Sequence, residues 1–365
     1  IRGVIKLKCS IITIHHIHNF GSIFQAYALA KFLETNGYQT EIIDYRPNYY
    51  ELGRNKVKTI IGRTLNLIPY SKRKKKFEMF ISKYDNLSEK TFANISELEE
   101  YYRNSTNIFI AGGDQLWNDY HPCGNDEAYK LIFTESQRKI AYGTSMGRDN
   151  FSVEELKKLA GLVENFKAIM LREQSTVSML QRYVAVPVSH VIDPIGLLSV
   201  EEFMSIAVKP NIKEPYAVMY LVDSGEVLNQ AIEILSQKMK LKIVHICGFK
   251  KKCYCDYFVK DAGPEEILGY ILYADFILSA SFHATMFSLL FNKQFVTFLP
   301  GKQTNARIND LLHYVALEDR IVHSTEDLIQ IKNEIDYNDV NQEIKKFSET
   351  SRELLLNTLS EISEG

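Results

Sequence analysis

The stretch LSASFHATMFSLLF, Leu278–Phe291, contains the residues best suited to chemistry in this chain. His283 stands there between a run of strand formers and a run of helix formers, among small side chains that include Ser279, Ser281 and Ala284. Small side chains leave room for a ligand, and the amides at a helix start bind anions. The alternative is a core histidine satisfied by hydrogen bonds. The setting favours a histidine that handles an anion.

The charge of His283 is expected to depend on the ligand. A helix start disfavours the imidazolium by ~0.3–1 kcal/mol, whereas an anion about 4 Å away favours it by up to ~4 kcal/mol at an effective dielectric constant of about 20. Because the second effect is larger, we expect a neutral ring in the empty site and a protonated ring beside an anionic substrate. Such a ring suits a general acid.

The loop HHIHNFGS follows the first predicted strand. Gly21 and Ser22 lie at a helix start whose amides can hold an anion or a sugar hydroxyl, and the amide of Asn19 can bind a hydroxyl as donor or acceptor. The three histidines suggest a metal, but consecutive strand positions point to opposite faces, so no metal site is predicted. No dinucleotide fingerprint or phosphate-binding P-loop occurs.

Two other loops offer charged side chains after predicted strands. Asp114 follows two glycines in AGGDQLWN, where it is either a base or the cap of a helix that begins at Gln115. Arg172 follows the apolar strand AIML. Its side chain either forms a surface ion pair or donates bidentate hydrogen bonds to a carboxylate or phosphate. The sequence alone does not separate these alternatives.

The elements that must position these loops alternate between strands and helices. CSIITI and QTEIIDY are predicted strands around a helix in SIFQAYALAKFLETNG, which Ser22 can cap and Gly37 can end. The same alternation continues to about Val200 and starts again at EPYAVMY. The predicted fold is α/β, with two Rossmann-like doubly wound parallel-sheet domains and a C-terminal helical segment. The cleft between the domains is the expected ligand site.

The predicted domains are 1–205 on the acceptor side, 206–335 on the donor side, and a helical tail at 336–365. The first domain contains an excursion at 46–87, helical at Phe77–Tyr84, with the basic block KRKKK. A solvated face is the simpler explanation of these charges. The alternative is a peripheral membrane contact through 71–84, in which Phe77 and Phe80 sit on an anionic bilayer.

Composition excludes several classes of protein. The chain has 365 residues, a net charge of -2 and no apolar run of the ~20 residues that span a bilayer, so neither a nucleic-acid partner nor a membrane span is predicted. No signal peptide is recognised at its start. Cys247, Cys253 and Cys255 lack a zinc-ribbon spacing and are interpreted as loop cysteines in a reducing cytosol.

Six motifs in order resemble the polysaccharide pyruvyl transferase family, from roughly Ile11 to Arg320. They are HNFGSIFQAYALAKFLETNGYQTEIIDY, FIAGGDQLWN, MLREQST, VIDPIGLL, GPEEILGYILYADFILSASFHATMFSLLF and ARINDLL. The resemblance implies a fold similar to the GT-B glycosyltransferases. It also implies transfer of the enolpyruvyl unit of phosphoenolpyruvate to a sugar, usually as a ketal with two hydroxyls, with release of phosphate.

The resemblance also implies roles for particular residues. The family histidine falls on His283, taken as the acid, and Asp114 is taken as the base. Donor binding is assigned to Arg172, Arg307, Ser279 and Ser281, and acceptor or ligand binding to Asn19, Gly21, Ser22, Gln115 and Trp117. Ala284 stands where the family usually has a glycine, and Gly113 where many relatives have a serine. Ser281 stands where some relatives have an arginine that binds the donor, so one anion contact is either missing or supplied from elsewhere, with Arg307 as the candidate.

The expected partners are phosphoenolpyruvate as co-substrate and a sugar or lipid-linked oligosaccharide as acceptor, with no separate cofactor. The expected location is the cytoplasm, including the inner face of the membrane. Two alternatives fit the same fold: a glycosyltransferase that uses a nucleotide sugar, and a carbohydrate-binding relative without turnover.

Overall fold

The computed structural model describes residues 7–49, 67–246, 253–299 and 305–364. The chain forms two compact units. The first comprises the described residues of Ile1–Arg54, Ile81–Leu198 and Lys346–Gly365, and the second those of Asn55–Phe80 and Ser199–Lys345. Each unit therefore contains residues from the predicted excursion at 46–87 and also from the predicted tail at 336–365. Residues 50–66 of the excursion, and Cys247, lie outside the described residues.

The first unit is built on a seven-stranded parallel sheet with the order β3-β2-β1-β4-β5-β6-β7. The strands are β1 Cys9–Ile12, β2 Thr40–Tyr45, β3 Leu87–Phe92, β4 Ile108–Gly112, β5 Lys139–Thr144, β6 Ala168–Leu171 and β7 Val188–His190. The order reverses between β1 and β4, and ligands bind beyond the strand ends at such a reversal. The loops with Asn19 and Asp114 follow these two strands.

The second unit contains a six-stranded parallel sheet with the order β10-β9-β8-β11-β12-β13. The strands are β8 Tyr216–Tyr220, β9 Lys242–Ile246, β10 Tyr257–Val259, β11 Phe276–Ser279, β12 Gln294–Phe298 and β13 Ile321–Val322. The central strands β8 and β11 are entirely buried, as their near-continuous apolar sequences predict. The edge strands β3, β10 and β13 were not predicted, because they are short or mainly polar.

Helices connect the strands in both units. They are α1 Phe20–Thr35, α2 Leu67–Tyr84, α3 Ile95–Tyr102, α4 Val153–Leu162, α5 Gln174–Leu180, α6 Val200–Ile206, α7 Glu226–Glu233, α8 Pro264–Leu272, α9 Phe282–Leu290, α10 Ala306–Tyr314 and α11 Tyr337–Glu364. The predicted α/β class with two Rossmann-like sheets and a C-terminal helix is thus confirmed. Within the described ranges, every helix is too short or too polar to cross a membrane.

Helix α1 begins earlier than the sequence indicated. Asn19, not Ser22, is the N-cap, and its side chain accepts hydrogen bonds from the amides of Gly21 at 2.9 Å and Ser22 at 3.4 Å. The prediction that Ser22 caps the helix was therefore wrong, since the asparagine amide occupies that role. Gly37 follows the helix with a φ of 83°, a conformation that glycine adopts without a steric cost.

Helix α2 confirms a helix in the basic excursion but orients its aromatic residues inward. Phe77 is 0% exposed and Phe80 is 1% exposed, so neither ring can lie on a membrane. That part of the membrane hypothesis is wrong, because an amphipathic helix buries its apolar face against the protein where a core is available. Lys76 also forms an ion pair within the protein, since its Nζ lies 2.6 Å from Glu266 Oε2.

Candidate active site

Asp114 lies in a tight turn directly beyond β4. Its φ is 54°, and Gly113 before it has a φ of 65°. A Cβ on Gly113 would lie 1.6 Å from Gln25 Oε1, so only glycine fits there. The Asp114 carboxylate is buried and accepts two hydrogen bonds, from Ser22 Oγ to Oδ2 at 2.5 Å and from the Gln115 amide to Oδ1 at 2.8 Å.

The alternative in which Asp114 caps a regular helix is not what the structure shows. Residues 114–117 form turns, and no helix begins at Gln115. The carboxylate instead joins the β4 loop to the first turn of α1 through Ser22. A left-handed φ on aspartate is tolerated where the surroundings determine it, and such positions cluster at functional sites. Its role as a base stays a prediction.

Arg172 follows β6 and is buried, with a side chain 1% exposed. Its Nη1 donates a short hydrogen bond to Asp193 Oδ2, so the alternative of a surface ion pair was wrong. Burial by itself lowers the pKa of Arg172, but the carboxylates of Asp193, Glu173 and Asp114 outweigh it, and the net pKa is raised. The guanidinium therefore lies close enough to Asp114 to interact with it electrostatically.

Glu173 and Asp193 were not recognised in the sequence. The Glu173 carboxylate is 0% exposed and accepts a short hydrogen bond from Ser145 Oγ. Asp193 also accepts from the Ile195 amide at 3.0 Å. Glu173 lies two residues after the end of β6, and Asp193 lies three residues after the end of β7. One signal in the sequence could have identified Asp193. It is an acid just beyond the carboxyl end of one strand, while Arg172 lies just beyond the carboxyl end of the neighbouring strand.

A histidine cluster lies beyond β1 in the same unit. His15 Nε2 is 2.8 Å from Asp44 Oδ1, and Arg46 Nε donates to the same oxygen at 2.6 Å. Thr91 Oγ1 donates to Asp44 Oδ2 at 2.6 Å. The pKa of His16 is lowered to about 3, mainly by burial and then by interaction with His15 and Arg46. Within the described residues, no group of three or more His, Cys, Asp or Glu could hold a metal ion.

His283 occupies the first turn of α9, directly beyond β11 of the second unit, and is 6% exposed. The N-cap of this helix is Ser281, whose Oγ accepts from the Ala284 amide at 3.4 Å. Ser279 Oγ accepts from the Ser281 amide at 3.0 Å. The strand-to-helix transition predicted around His283 is therefore present, and the two serine hydroxyls shape the turn that holds the ring.

Arg307 lies in the first turn of α10, next to the same loop. Its guanidinium carbon is 5.6 Å from the centroid of the Phe282 ring, a cation–π distance. The Phe282 ring in turn meets the His283 ring at a centroid distance of 5.2 Å, edge to face. The Phe282 ring thus contacts both His283 and the arginine that the sequence suggested as its cationic neighbour.

Gln115 and Trp117 have local partners in the first unit. Gln115 Oε1 accepts from Asn118 Nδ2 at 2.7 Å. Trp117 is 2% exposed, and its Nε1 donates to the Tyr129 carbonyl at 3.0 Å. Its ring packs edge to face on Phe166. Asn19, by contrast, is exposed. A ligand-binding role for these residues stays a prediction.

A family model described as "Polysaccharide pyruvyl transferase" matches residues 19–301, the segment that contains both the Asp114 and the His283 loops. The chain belongs to the polysaccharide pyruvyl transferase family. The resemblance predicted from the motifs is confirmed, and the chain is a transferase by family.

Solved structures share the fold of this transferase at low sequence identity. UDP-N-acetylglucosamine 2-epimerase from Rickettsia bellii is 11% identical, with a TM-score of 0.56, and the match covers 98% of this chain and 98% of that chain. UDP-GlcNAc 2-epimerase from Methanocaldococcus jannaschii is 13% identical, with a TM-score of 0.52, and the match covers 91% and 93% of the two chains. At these identities the likeness concerns the fold alone.

Proposed function

We propose that this transferase moves the pyruvyl group of phosphoenolpyruvate onto two hydroxyls of a sugar during surface polysaccharide biosynthesis. The products are a pyruvate ketal and inorganic phosphate. The observation that carries this proposal is the buried His283 in the first turn of α9, with Arg307 stacked on the adjacent Phe282 ring. An acid beside a cation suits a substrate that is both protonated and anionic.

The reaction needs a proton donor and anion-binding groups. A proton from His283 to the methylene carbon converts it to a methyl group and leaves the neighbouring carbon electrophilic. One sugar hydroxyl then bonds to that carbon and loses its proton. Cleavage of the bond from carbon to the phosphate oxygen releases phosphate, and a second hydroxyl forms the other bond of the ketal and loses its proton. No oxidant or reductant is required, and no cofactor is proposed.

The anionic groups of the donor are assigned to cations and to helix amides. Arg307 and the amides at the start of α9 are the candidates in the second unit. Arg172 is the further candidate in the first unit, where its charge lies among buried carboxylates. The base for the sugar hydroxyl is assigned to Asp114, whose carboxylate is fixed by Ser22 and the Gln115 amide.

The proposal is tested by running the reaction in D2O with phosphoenolpyruvate and a panel of methyl hexopyranosides and lipid-linked oligosaccharides. Proton delivery to the methylene carbon places one deuterium in the ketal methyl group, which NMR detects as CH2D, while phosphate release is measured in parallel. Absence of both phosphate and ketal with every acceptor overturns the proposal. A ketal methyl without deuterium overturns the protonation step.

The residues are tested with matched variants of the second unit. His283→Ala is expected to slow phosphate release by ~100-fold or more. The control is His313→Ala, because the His313 side chain is 82% exposed and pairs with Glu318 at the surface. Arg307→Met is expected to raise the KM for phosphoenolpyruvate. Equal rates in His283→Ala and His313→Ala would remove the acid role.

Thermal shifts with nucleotides separate this activity from the alternatives. A glycosyltransferase that uses a nucleotide sugar would be stabilised by uridine or guanosine diphosphates and not by phosphoenolpyruvate. A carbohydrate-binding relative would be stabilised by sugar while phosphoenolpyruvate remained unconsumed. The proposed transferase is stabilised by phosphoenolpyruvate in the absence of nucleotide.

A further inference from the structure

A cavity of about 290 Å³ lies in the first unit beside the loop that follows β4. Its walls come from this loop, from Phe151 after β5, and from helix α4. The loops after β4 and β5 leave the carboxyl ends of two neighbouring strands, where ligands of such sheets bind. Asp114 stands at the beginning of the same β4 loop. The cavity therefore lies near the carboxyl-end edge of the sheet, where Asp114, the proposed base, also lies.

The walls of the cavity are held by one buried arginine. Arg148 Nη2 donates to Asp119 Oδ2 at 2.6 Å and to Glu155 Oε1 at 2.7 Å. Its guanidinium carbon also lies 3.8 Å from the centre of the Phe151 ring. Asp119, Glu155 and Phe151 all line the cavity. The wall side chains are thus fixed before a ligand binds, which lowers the entropic cost of binding.

Lys130 supplies a buried donor in this cavity. The residue is 3% exposed, and its Nζ donates to the carbonyls of Gly124 at 2.5 Å and Asp126 at 3.1 Å. An ammonium group has three N–H donors, so one of them lacks an acceptor among the residues that the structure describes. A buried donor without an acceptor is unfavourable, and a ligand oxygen would supply the missing hydrogen bond. Burial lowers the pKa of Lys130 to about 8.

The remaining lining matches a sugar ring better than an ion. The lining includes the acids Asp119, Glu127 and Glu155 and the bases Lys130 and Lys158, and the cationic Arg148 pairs with two of these acids. Because these charges balance, a neutral polyol meets no electrostatic penalty in the cavity, and an anion gains little electrostatic binding energy there. The apolar part consists of Trp117, Phe151, Leu159 and Leu162. Aromatic rings beside a few polar groups are a typical lining for a small neutral ligand.

We propose that this cavity is an acceptor subsite that binds one neutral hexose ring of the saccharide to be pyruvylated. The N–H of Lys130 that lacks an acceptor donates to a hydroxyl or ring oxygen, the carboxylates accept from hydroxyls, and the C–H face of the sugar packs on the half-buried Phe151 and Leu159. The size of the cavity admits a single ring, since it lies just below the roughly 300–1,000 Å³ of pockets for drug-sized ligands. This inference rests on the proposed function, because it names the acceptor side of that reaction.

The test measures sugar binding without phosphoenolpyruvate. Methyl glycosides of glucose, galactose, mannose and N-acetylglucosamine are titrated into the full chain, and affinity is measured by NMR. Lys130→Met is expected to weaken binding at least 10-fold, with a smaller loss in Lys158→Met at the rim. The control is Lys157→Met, because Lys157 neighbours Lys158 on the exposed side of α4 and does not line the cavity.

A second variant keeps the test decisive if Lys130→Met does not fold. Leu159→Trp fills the cavity from α4 and leaves Lys130 in place, so it should also abolish binding. Equal affinities in the original chain, Leu159→Trp and Lys157→Met overturn the inference, as does the absence of binding by all four glycosides. If sugar binding depends on Lys130 but the chain never consumes phosphoenolpyruvate, the subsite is supported and the proposed reaction is rejected.

Discussion

The hydroxyl of Ser22 donates a 2.5 Å hydrogen bond to the carboxylate of Asp114 across 92 residues of sequence. This bond joins the start of α1 to the turn after β4, at the point where the strand order of the first sheet reverses. It orients one carboxylate oxygen, while the Gln115 amide orients the other. The family match over residues 19–301 includes both partners.

Asp114→Asn is expected to lower kcat by ~100-fold while the fold stays intact. The asparagine oxygen can still accept from the Gln115 amide, but the amide cannot take a proton from a sugar hydroxyl. Ser22→Ala keeps the carboxylate and removes one bond to it, so a loss of about 10-fold or less is expected. Steady-state kinetics check both values. A fully active Asp114→Asn enzyme would show that the carboxylate has only a structural role.

The Arg172–Asp193 ion pair should be important for stability. Asp193→Ala leaves a buried guanidinium without its principal counter-ion, and breaking such a pair costs about 3–5 kcal/mol. Calorimetry should show a large fall in Tm. Asp149→Ala is the control, because Asp149 is exposed and surface changes typically cost below about 0.5 kcal/mol. The double variant Arg172→Met with Asp193→Leu should recover much of the loss, and a Tm equal to that of Asp193→Ala would contradict this explanation.

The pKa of His16, lowered to about 3 by burial and by interaction with His15 and Arg46, predicts a dependence of stability on pH. Between about pH 3 and pH 6.5 the unfolded chain binds a proton at this residue and the folded chain does not. Stability therefore falls as the pH decreases through this range, by up to ~1.4 kcal/mol per pH unit. His16→Asn should flatten that slope, and ¹⁵N NMR should show no titration of the His16 ring between pH 5 and 8. A ring that titrates near pH 6.5 would contradict the prediction.

The exposed face of α2 is the remaining candidate for a membrane contact. Lys72, Lys75, Met79 and Lys83 are all exposed, and their spacing of three or four residues places them on one side of the helix. Each lysine near an anionic bilayer is worth about 1 kcal/mol. Changing the three lysines to Glu should therefore weaken binding to vesicles containing phosphatidylserine by ~100-fold or more.

The control for the membrane prediction carries the same change of charge elsewhere. Exposed lysines suitable for it are Lys238, Lys332 and Lys346. Vesicle flotation of both triple variants and the original chain measures the difference. The same loss in both variants would indicate a general effect of net charge, and no binding by the original chain would end the hypothesis.

The sequence was sufficient for the features that depend on local pattern. The strand, the small residues and the helix around His283 are neighbours in the chain, so their arrangement follows from periodicity. The partners Ser22 for Asp114 and Asp193 for Arg172 were not predicted, because they are 92 and 21 residues away and depend on strand order. The burial of Phe77 and Phe80 was also not predicted, because the basic residues beside them gave no indication of which side of the helix faces a core.

The final helix has a consequence for how the chain reaches its folded state during synthesis. Ser351 Oγ on α11 accepts from the Ile192 amide at 2.9 Å, and Arg352 Nε donates to the Leu197 carbonyl at 3.1 Å, so these bonds lie within the first compact unit. Leu355 and Leu359 are 0% exposed. The first sheet is therefore synthesised well before α11, and its surface is complete only after α11 has been translated. A nascent chain stalled before Lys346 would expose apolar surface that chaperones bind.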